Sequence, residues 1–288
     1  MKLKSFNLKN RRKNQKDSFK YQIVDYMKQR IGFIGGTGSY KPVTDSQKRT
    51  IRTPFGDAIV YLTQLGNKEI AFIARHGIKH SFPPHMVNYR ANIYALHQLG
   101  VSKVITTSAV GSLIKDIPPG SFVLPDQFID FTKNRPNTFF DGKFEVTLHS
   151  GEKRSGVIHI DLTNPYCPDI HKLIQSVGNE CAIDIYDKGV YVCTEGPRFE
   201  TPAEINAFRI LGGTLVGMTS VTECILAREL GMCLSTICLV TNFAAGMQDK
   251  ISLEEVYKEF EEKRMKLKIL IEKSLEQITY TSDKCDCK

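Results

Sequence analysis

The sequence predicts an α/β fold, a single domain built on one mixed β-sheet flanked by helices. Three observations carry that expectation. Short apolar runs of strand length alternate with segments of helical period from residue 31 to about 280. No internal repeat or Pro/Gly/Ser-rich linker divides this stretch. Segments rich in Gly, Ser and Thr recur at the strand ends, the side of an open α/β sheet where ligands bind.

The first strand is the apolar run 31–34, ending in Gly35-Gly36-Thr37-Gly38. Runs 58–64 and 69–74, separated by Leu65-Gly66-Asn67-Lys68, read as a hairpin. Residues 89–99 form a helix that Gly100 ends as a C′ residue. A buried strand over 103–107 precedes Ser108-Ala109-Val110-Gly111-Ser112, and proline stops a short strand at 122–125. The polar stretch 133–155 reads as a long functional loop. Beyond it, 189–195 is a strand, and Thr201 caps a helix with Pro202 at N1 and Glu204 at N3. A strand at 214–218, a helix at 221–230 and a buried strand at 232–241 follow. Ser252 caps the last helix, which runs to about residue 278 with Val256, Phe260, Leu267, Leu270, Ile271 and Leu275 at helical spacing.

The 288 residues carry 39 Lys and Arg against 31 Asp and Glu, a net charge of +8. Residues 1–30 hold ten of the bases and two of the acids, which leaves 29 of each in the other 258. The basicity therefore belongs to an N-terminal extension, 1–30, ahead of a neutral domain, 31–280, and a tail, 281–288. The extension lacks the apolar core of a secretory signal, and no apolar run approaches the roughly 20 residues of a membrane helix. Six cysteines lie scattered among apolar neighbours, which suggests reduced thiols and a cytoplasmic location. No spacing suggests a zinc site, and the tail pair Cys285 and Cys287 has no obvious partner ligands, so no metal is expected.

The strand ends concentrate the chemistry. Gly35–Ser39, Arg75-His76-Gly77 and 108–112 combine exposed backbone N–H groups, hydroxyls and a guanidinium, the composition of an anion cradle. The glycine run lacks the G-x-G-x-x-G register and any ribose-binding acid after a second parallel strand, which demotes an NAD-dependent oxidoreductase. A nucleic-acid-binding protein using the basic extension is a further alternative.

Seven blocks taken together (31–38, Arg75-His76-Gly77, 83–93, 108–113, 126–130, 195–201 and 217–221) resemble the trimeric purine nucleoside phosphorylase and 5′-methylthioadenosine phosphorylase family. The resemblance implies a distorted, barrel-like sheet and phosphorolysis of a purine nucleoside, with inorganic phosphate as co-substrate and no cofactor. It implies a phosphate site at Thr37, Arg75, His76, Ser108, Ala109 and Thr219, where Arg75 can fork two phosphate oxygens. It also implies Met218 against the ribose, with Phe199, Phe243 and Ala244 around the nucleoside and His159 reaching toward the 5′ group, in many members from a neighbouring subunit. A homotrimer or dimer of trimers is implied, with neither a membrane nor nucleic acid as partner.

Asn242 and Glu200 are the expected catalytic and base-recognising residues. Members acting on methylthioadenosine carry Asp-x-Asp where this chain has Asn242-Phe243-Ala244. An Asn amide can donate to O6 or N7 of a 6-oxopurine, whereas an ionised Asp cannot. Glu200 can accept N1–H, which a 6-oxopurine has and neutral adenine lacks. Inosine and guanosine are the expected substrates, with 5′-methylthioinosine, or methylthioadenosine, as the alternative.

Overall fold

A computed structural model of the chain describes residues 30–36, 46–280 and 285. The first apolar run forms β1 (Arg30–Gly35), and β2 (Gln47–Thr53), β3 (Gly56–Leu65) and β4 (Lys68–Ala74) follow. Arg30, counted above with the basic extension, is part of the sheet. It is buried, with Nε on Glu69 Oε2 at 2.8 Å and Nη1 on the Leu99 carbonyl at 2.8 Å. The β3–β4 hairpin is antiparallel, as its turn predicts. β2 carries no apolar signal because it is the outermost described strand beside β3, and six of its seven residues are polar or charged.

α1 (Tyr89–Gln98) is capped by Asn88, whose side chain accepts the Ala91 N–H, and Gly100 follows with φ of 78°. β5 (Val101–Ser112) is twelve residues long. It therefore includes Ser108–Ser112, which the sequence placed after the strand. β6 (Phe122–Val123) and β7 (Gln127–Asp130) are short. The stretch 133–155 is not an open loop: β8 (Glu145–Thr147) and β9 (Lys153–Ser155) pair within it. Phe139 and Phe140 are buried there, and Glu229 accepts the Phe139 N–H at 2.7 Å.

α2 (Pro168–Glu180) is not among the helices expected from sequence, although Pro168 at N1 and the spacing of Ile170, Leu173, Ile174 and Val177 mark it. Its N-cap is Cys167, which makes no side-chain capping bond, so the usual Ser/Thr/Asp/Asn mark is missing. β10 (Ile185–Tyr186), β11 (Val190–Cys193), α3 (Pro202–Ile210), β12 (Leu215–Gly217), α4 (Ser220–Glu229), β13 (Cys233–Phe243) and α5 (Leu253–Gln277) complete the fold. The Thr201–Glu204 capping box forms in both directions. All six residues of the predicted apolar stripe on α5 are buried.

The sheet runs β10-β6-β13-β5-β1-β4-β3-β2, and the distortion expected of it takes the form of a branch. β5 pairs β1 over its first half, while its last residues pair β12, which carries β11 and β7. Alternation along β5 and β13 divides the core. Val104 and Leu234 face the cluster packed with α1 and α4, whereas Ile105 and Cys233 face the cluster with α2 and α5. The carboxyl ends of β1, β4, β5, β12 and β13 are left to form a site.

Candidate active site

A cleft of about 350 Å³ opens at these strand ends. It brings together Arg75, His76, Ser108, Ala109, Met218, Thr219, Phe199, Glu200, Asn242 and Ala244, ten of the residues expected from sequence. Thr37 lies outside the described residues. Phe243 does not face the cleft: its neighbour Asn242 does, and successive strand side chains point to opposite faces. His159 is exposed and outside the cleft of its own chain. A larger hollow of about 840 Å³ lies between α1 and the β8–β9 hairpin, but it holds none of the strand-end residues.

At the anion end, Arg75 follows β4 and is buried. Its Nε and Nη2 donate to Glu223 Oε1 and Oε2 at 2.5 and 2.7 Å, and Nη1 donates to the Thr107 carbonyl at 2.9 Å. The fork expected for phosphate is thus occupied by a carboxylate. Of the five guanidinium N–H groups, two remain for an anion. Burial works against the Arg75 charge, but Glu223 more than offsets this and holds the guanidinium firmly protonated. Gly36 is required beside it, since a Cβ there would stand 2.5 Å from Arg75 Nη1 and 2.6 Å from the Thr107 oxygen.

His76 contributes no charge. Burial, then the neighbouring Arg75 cation, lower its pKa to about 3. Its Nδ1 lies 2.7 Å from the Phe82 carbonyl, an acceptor, so Nδ1 bears the proton and Nε2 is left as an acceptor. A neutral imidazole of this tautomer suits a protonated phosphate oxygen. Ser108 is oriented by Tyr191, whose hydroxyl lies 3.0 Å from Ser108 Oγ and accepts the Thr219 N–H at 3.4 Å. Tyr191 thereby links two of the cleft residues expected to bind phosphate, and Gly217 leaves it room: a Cβ there would stand 2.1 Å from the Tyr191 oxygen.

The cleft also holds Asn242 and Glu200, the residues expected to recognise a base. The β5–β13 register shifts between Val240 and Asn242, so Thr241 is an extra residue of the kind that re-aims side chains beside active sites. Asn242 Nδ2 donates to the Phe243 carbonyl and Oδ1 accepts from Thr241 Oγ1, both at 2.9 Å. Because a carbonyl only accepts, the amide orientation is fixed and one N–H remains for a ligand. Glu200 accepts from Thr194 Oγ1 at 2.7 Å, and burial raises its pKa above the ordinary carboxylate value.

Sequence reasoning missed Arg135, Tyr191 and Glu223. Arg135 is buried and holds the cleft wall. Nη1 donates to the Met218 carbonyl at 2.5 Å, Nη2 to the Glu195 carbonyl at 2.6 Å, and Nε to Glu195 Oε1 at 3.3 Å. It sits in the polar stretch read as a loop, where nothing distinguishes it from a solvated arginine. Glu223 had one signal: it is an acid in the first turn of a helix beside the apolar residues Val221, Cys224, Ile225, Leu226 and Ala227, and an acid cannot be buried there without a cation.

Residues 30–276 match the Phosphorylase superfamily. The chain is 51% identical over 222 residues to the 6-oxopurine nucleoside phosphorylase of Pyrococcus furiosus, covering 77% of this chain and 82% of that protein. It is 44% identical over 250 residues to a probable S-methyl-5′-thioinosine phosphorylase of Methanopyrus kandleri, covering 86% and 92% respectively. Methylthioadenosine phosphorylase from Schistosoma mansoni, solved with adenine, superposes with a TM-score of 0.80 at 29% identity, over 88% of this chain and 93% of that one.

Proposed function

The chain belongs to the Phosphorylase superfamily, and on that premise we propose that it cleaves 6-oxopurine nucleosides with inorganic phosphate, yielding free base and (deoxy)ribose 1-phosphate in purine salvage. A phosphate oxygen attacks C1′ while the C1′–N9 bond breaks and its electron pair passes to the purine. The single observation that carries the choice of base is the pairing of a donor, the remaining Asn242 N–H, with an acceptor, Glu200, in one cleft. That pair matches O6 or N7 together with N1–H, and it mismatches adenine, whose exocyclic group donates and whose N1 carries no proton. Negative charge growing on the leaving purine is stabilised by the Asn242 donor. Phosphate is held by the two remaining Arg75 N–H groups, the Ser108 and Thr219 hydroxyls, the Ala109 backbone and the Nε2 acceptor of His76. Thr37 is assigned to the same site by its place in the family motif.

One specific observation favours a second reading of the sugar. Ile251, Val256 and Tyr257 line the cleft, an apolar wall that suits a methylthio group as well as a hydroxyl. 5′-Methylthioinosine is therefore the rival substrate, in keeping with the name of the Methanopyrus kandleri relative. The proposed assembly is a trimer or dimer of trimers in which His159 serves the cleft of a neighbouring copy. No helix among the described residues is long and apolar enough to cross a membrane, and the proposed location is the cytoplasm. No cofactor is proposed. Phosphate-dependent release of hypoxanthine from inosine, with ribose 1-phosphate as the second product, tests the reading; cleavage that proceeds equally without phosphate would overturn it.

A further inference from the structure

Tyr191 ties the branch of the sheet to its main path directly behind the cleft. It lies on β11, inside the branch formed by β12, β11 and β7. Its ring belongs to the buried cluster of Val110 from β5, Leu215 from β12, and Cys238 and Val240 from β13, and the residue is 0% exposed. The register partner of Tyr191 on β12 is Leu215, so Gly217, two residues further on, belongs to the same face. Glycine weakens the interior of a strand, yet this position admits nothing larger, because a Cβ there would meet the Tyr191 hydroxyl before any other atom. The ring thus passes Gly217 and carries its oxygen out of the branch to Ser108 on β5, 3.0 Å away.

A buried tyrosine usually finds a partner for its hydroxyl, and a place in the core would ask no more of it. The partners of Tyr191 do more, because they fix which way each proton points. The Thr219 N–H, 3.4 Å from the Tyr191 oxygen, can only donate. The phenol therefore accepts that bond and gives its own proton to Ser108 Oγ. Having accepted from Tyr191, the Ser108 hydroxyl keeps its own proton to give. Its other hydrogen-bond partner among the described residues is the Ala109 carbonyl at 3.5 Å, the outer limit of a hydrogen bond. Ser108 lines the cleft, so that proton is left for a ligand there. Burial raises the pKa of the phenol above its ordinary value, which keeps Tyr191 protonated and able to donate.

We propose that Tyr191 is a positioning residue for phosphate: its hydroxyl takes the Thr219 N–H, gives its proton to Ser108, and so fixes Ser108 as a donor to a phosphate oxygen. The inference rests on the phosphorolysis reading above and deepens it. Tyr191 does not line the cleft and touches no substrate; it acts through Ser108. The direction of the chain sets what the cradle accepts. Arg75 and Ser108 donate, and each needs a bare oxygen, whereas Nε2 of His76 accepts and needs an oxygen that carries a proton. Hydrogen phosphate, with one P–O–H and three bare oxygens, meets that pattern. A donor already aimed before the anion arrives costs no reorganisation when it binds. Without the phenol, the Ser108 hydroxyl is free to change rotamer and lose its aim.

The test compares the full wild-type chain with Tyr191→Phe, Ser108→Ala and the double variant. Steady-state KM values are measured for phosphate and inosine, and the Kd of inorganic phosphate by isothermal titration calorimetry. Tyr191→Phe removes one oxygen and keeps the ring in the core. It is expected to raise the KM and Kd for phosphate by about tenfold, the scale of one misplaced hydrogen bond to a charged group. The KM for inosine should stay within about twofold, and in the Ser108→Ala background the same change should add less than about twofold, because the group it positions is gone. If Tyr191→Phe does not fold, a crystal structure of the wild-type chain with inorganic phosphate decides. Ser108 Oγ is then expected within hydrogen-bond distance of both the Tyr191 hydroxyl and a phosphate oxygen. The proposal is overturned if Tyr191→Phe leaves the phosphate KM unchanged, raises both KM values alike, or keeps its full effect without Ser108. It is equally overturned if Ser108 in that crystal structure turns away from either partner. Failure of the phosphorolysis reading looks different: a wild-type chain that binds no phosphate, a result that overturns both.

Discussion

Arg75 and Glu223 form a bidentate pair inside the protein, Nε to Oε1 at 2.5 Å and Nη2 to Oε2 at 2.7 Å, both side chains almost fully buried. The pair joins the end of β4 to α4 and aims what remains of the guanidinium at the cleft. A charge this deep is tolerable only while its partner is present. Glu223→Ala is expected to cost about 3–5 kcal/mol of stability by leaving an uncompensated cation. It should also raise the KM for phosphate more than that for nucleoside, because Arg75 loses its orientation. Urea unfolding and KM values for the two substrates check both parts.

In the proposed reaction Asn242 fixes the base through a donor. Asn242→Asp replaces that donor by an acceptor, and is expected to lower kcat/KM for inosine by about a hundredfold or more while raising relative use of adenosine. The ratio of the two kcat/KM values is the readout. An unchanged ratio would remove Asn242 from base recognition.

Glu200 gives a pH signature. Burial raises its pKa, so its carboxylate takes up a proton at a higher pH than an ordinary glutamate as the solution is acidified. The protonated form no longer accepts N1–H. The acid limb of kcat/KM for inosine is therefore expected above the ordinary carboxylate range. Glu200→Gln should lower activity and abolish that limb. His76, with a pKa near 3, should add no step around neutrality.

Much of this site was legible because its residues follow strands. Arg75, His76, Met218 and Thr219 sit where apolar runs end, and polar residues placed there face a ligand rather than a core. The supporting groups were not legible. Glu223 is one of two acids on its helix, Arg135 one of several bases in a polar stretch, and Tyr191 an aromatic in a buried strand; their partners are 148, 83 and 83 residues away along the chain. Local signals also misplaced the ends of β5 and β13. Ser108-Ala109-Val110-Gly111-Ser112 has weak strand propensity, but pairing with β13 as far as Phe243 holds it extended.

The N-terminal extension should be dispensable for catalysis. The first strand among the described residues starts at Arg30, and residues 30–276 match the family, whereas most of the basic excess precedes them. Removal of residues 1–28 is expected to leave kcat/KM for inosine within about twofold of the full chain, the scale of a change that takes away no functional or buried contact. Steady-state rates at two salt concentrations check it. A salt-sensitive affinity for nucleic acid that disappears with the extension would instead give that segment a separate partner.

The proposed choice of base rests on one cleft that pairs a donor from Asn242 with an acceptor from Glu200. Its most direct test is phosphorolysis of inosine, guanosine, 5′-methylthioinosine, adenosine and 5′-methylthioadenosine measured in parallel at saturating phosphate. The expected result is cleavage of the 6-oxopurine nucleosides with kcat/KM about a hundredfold or more above that of the 6-amino nucleosides. Preferential cleavage of adenosine or methylthioadenosine would contradict it.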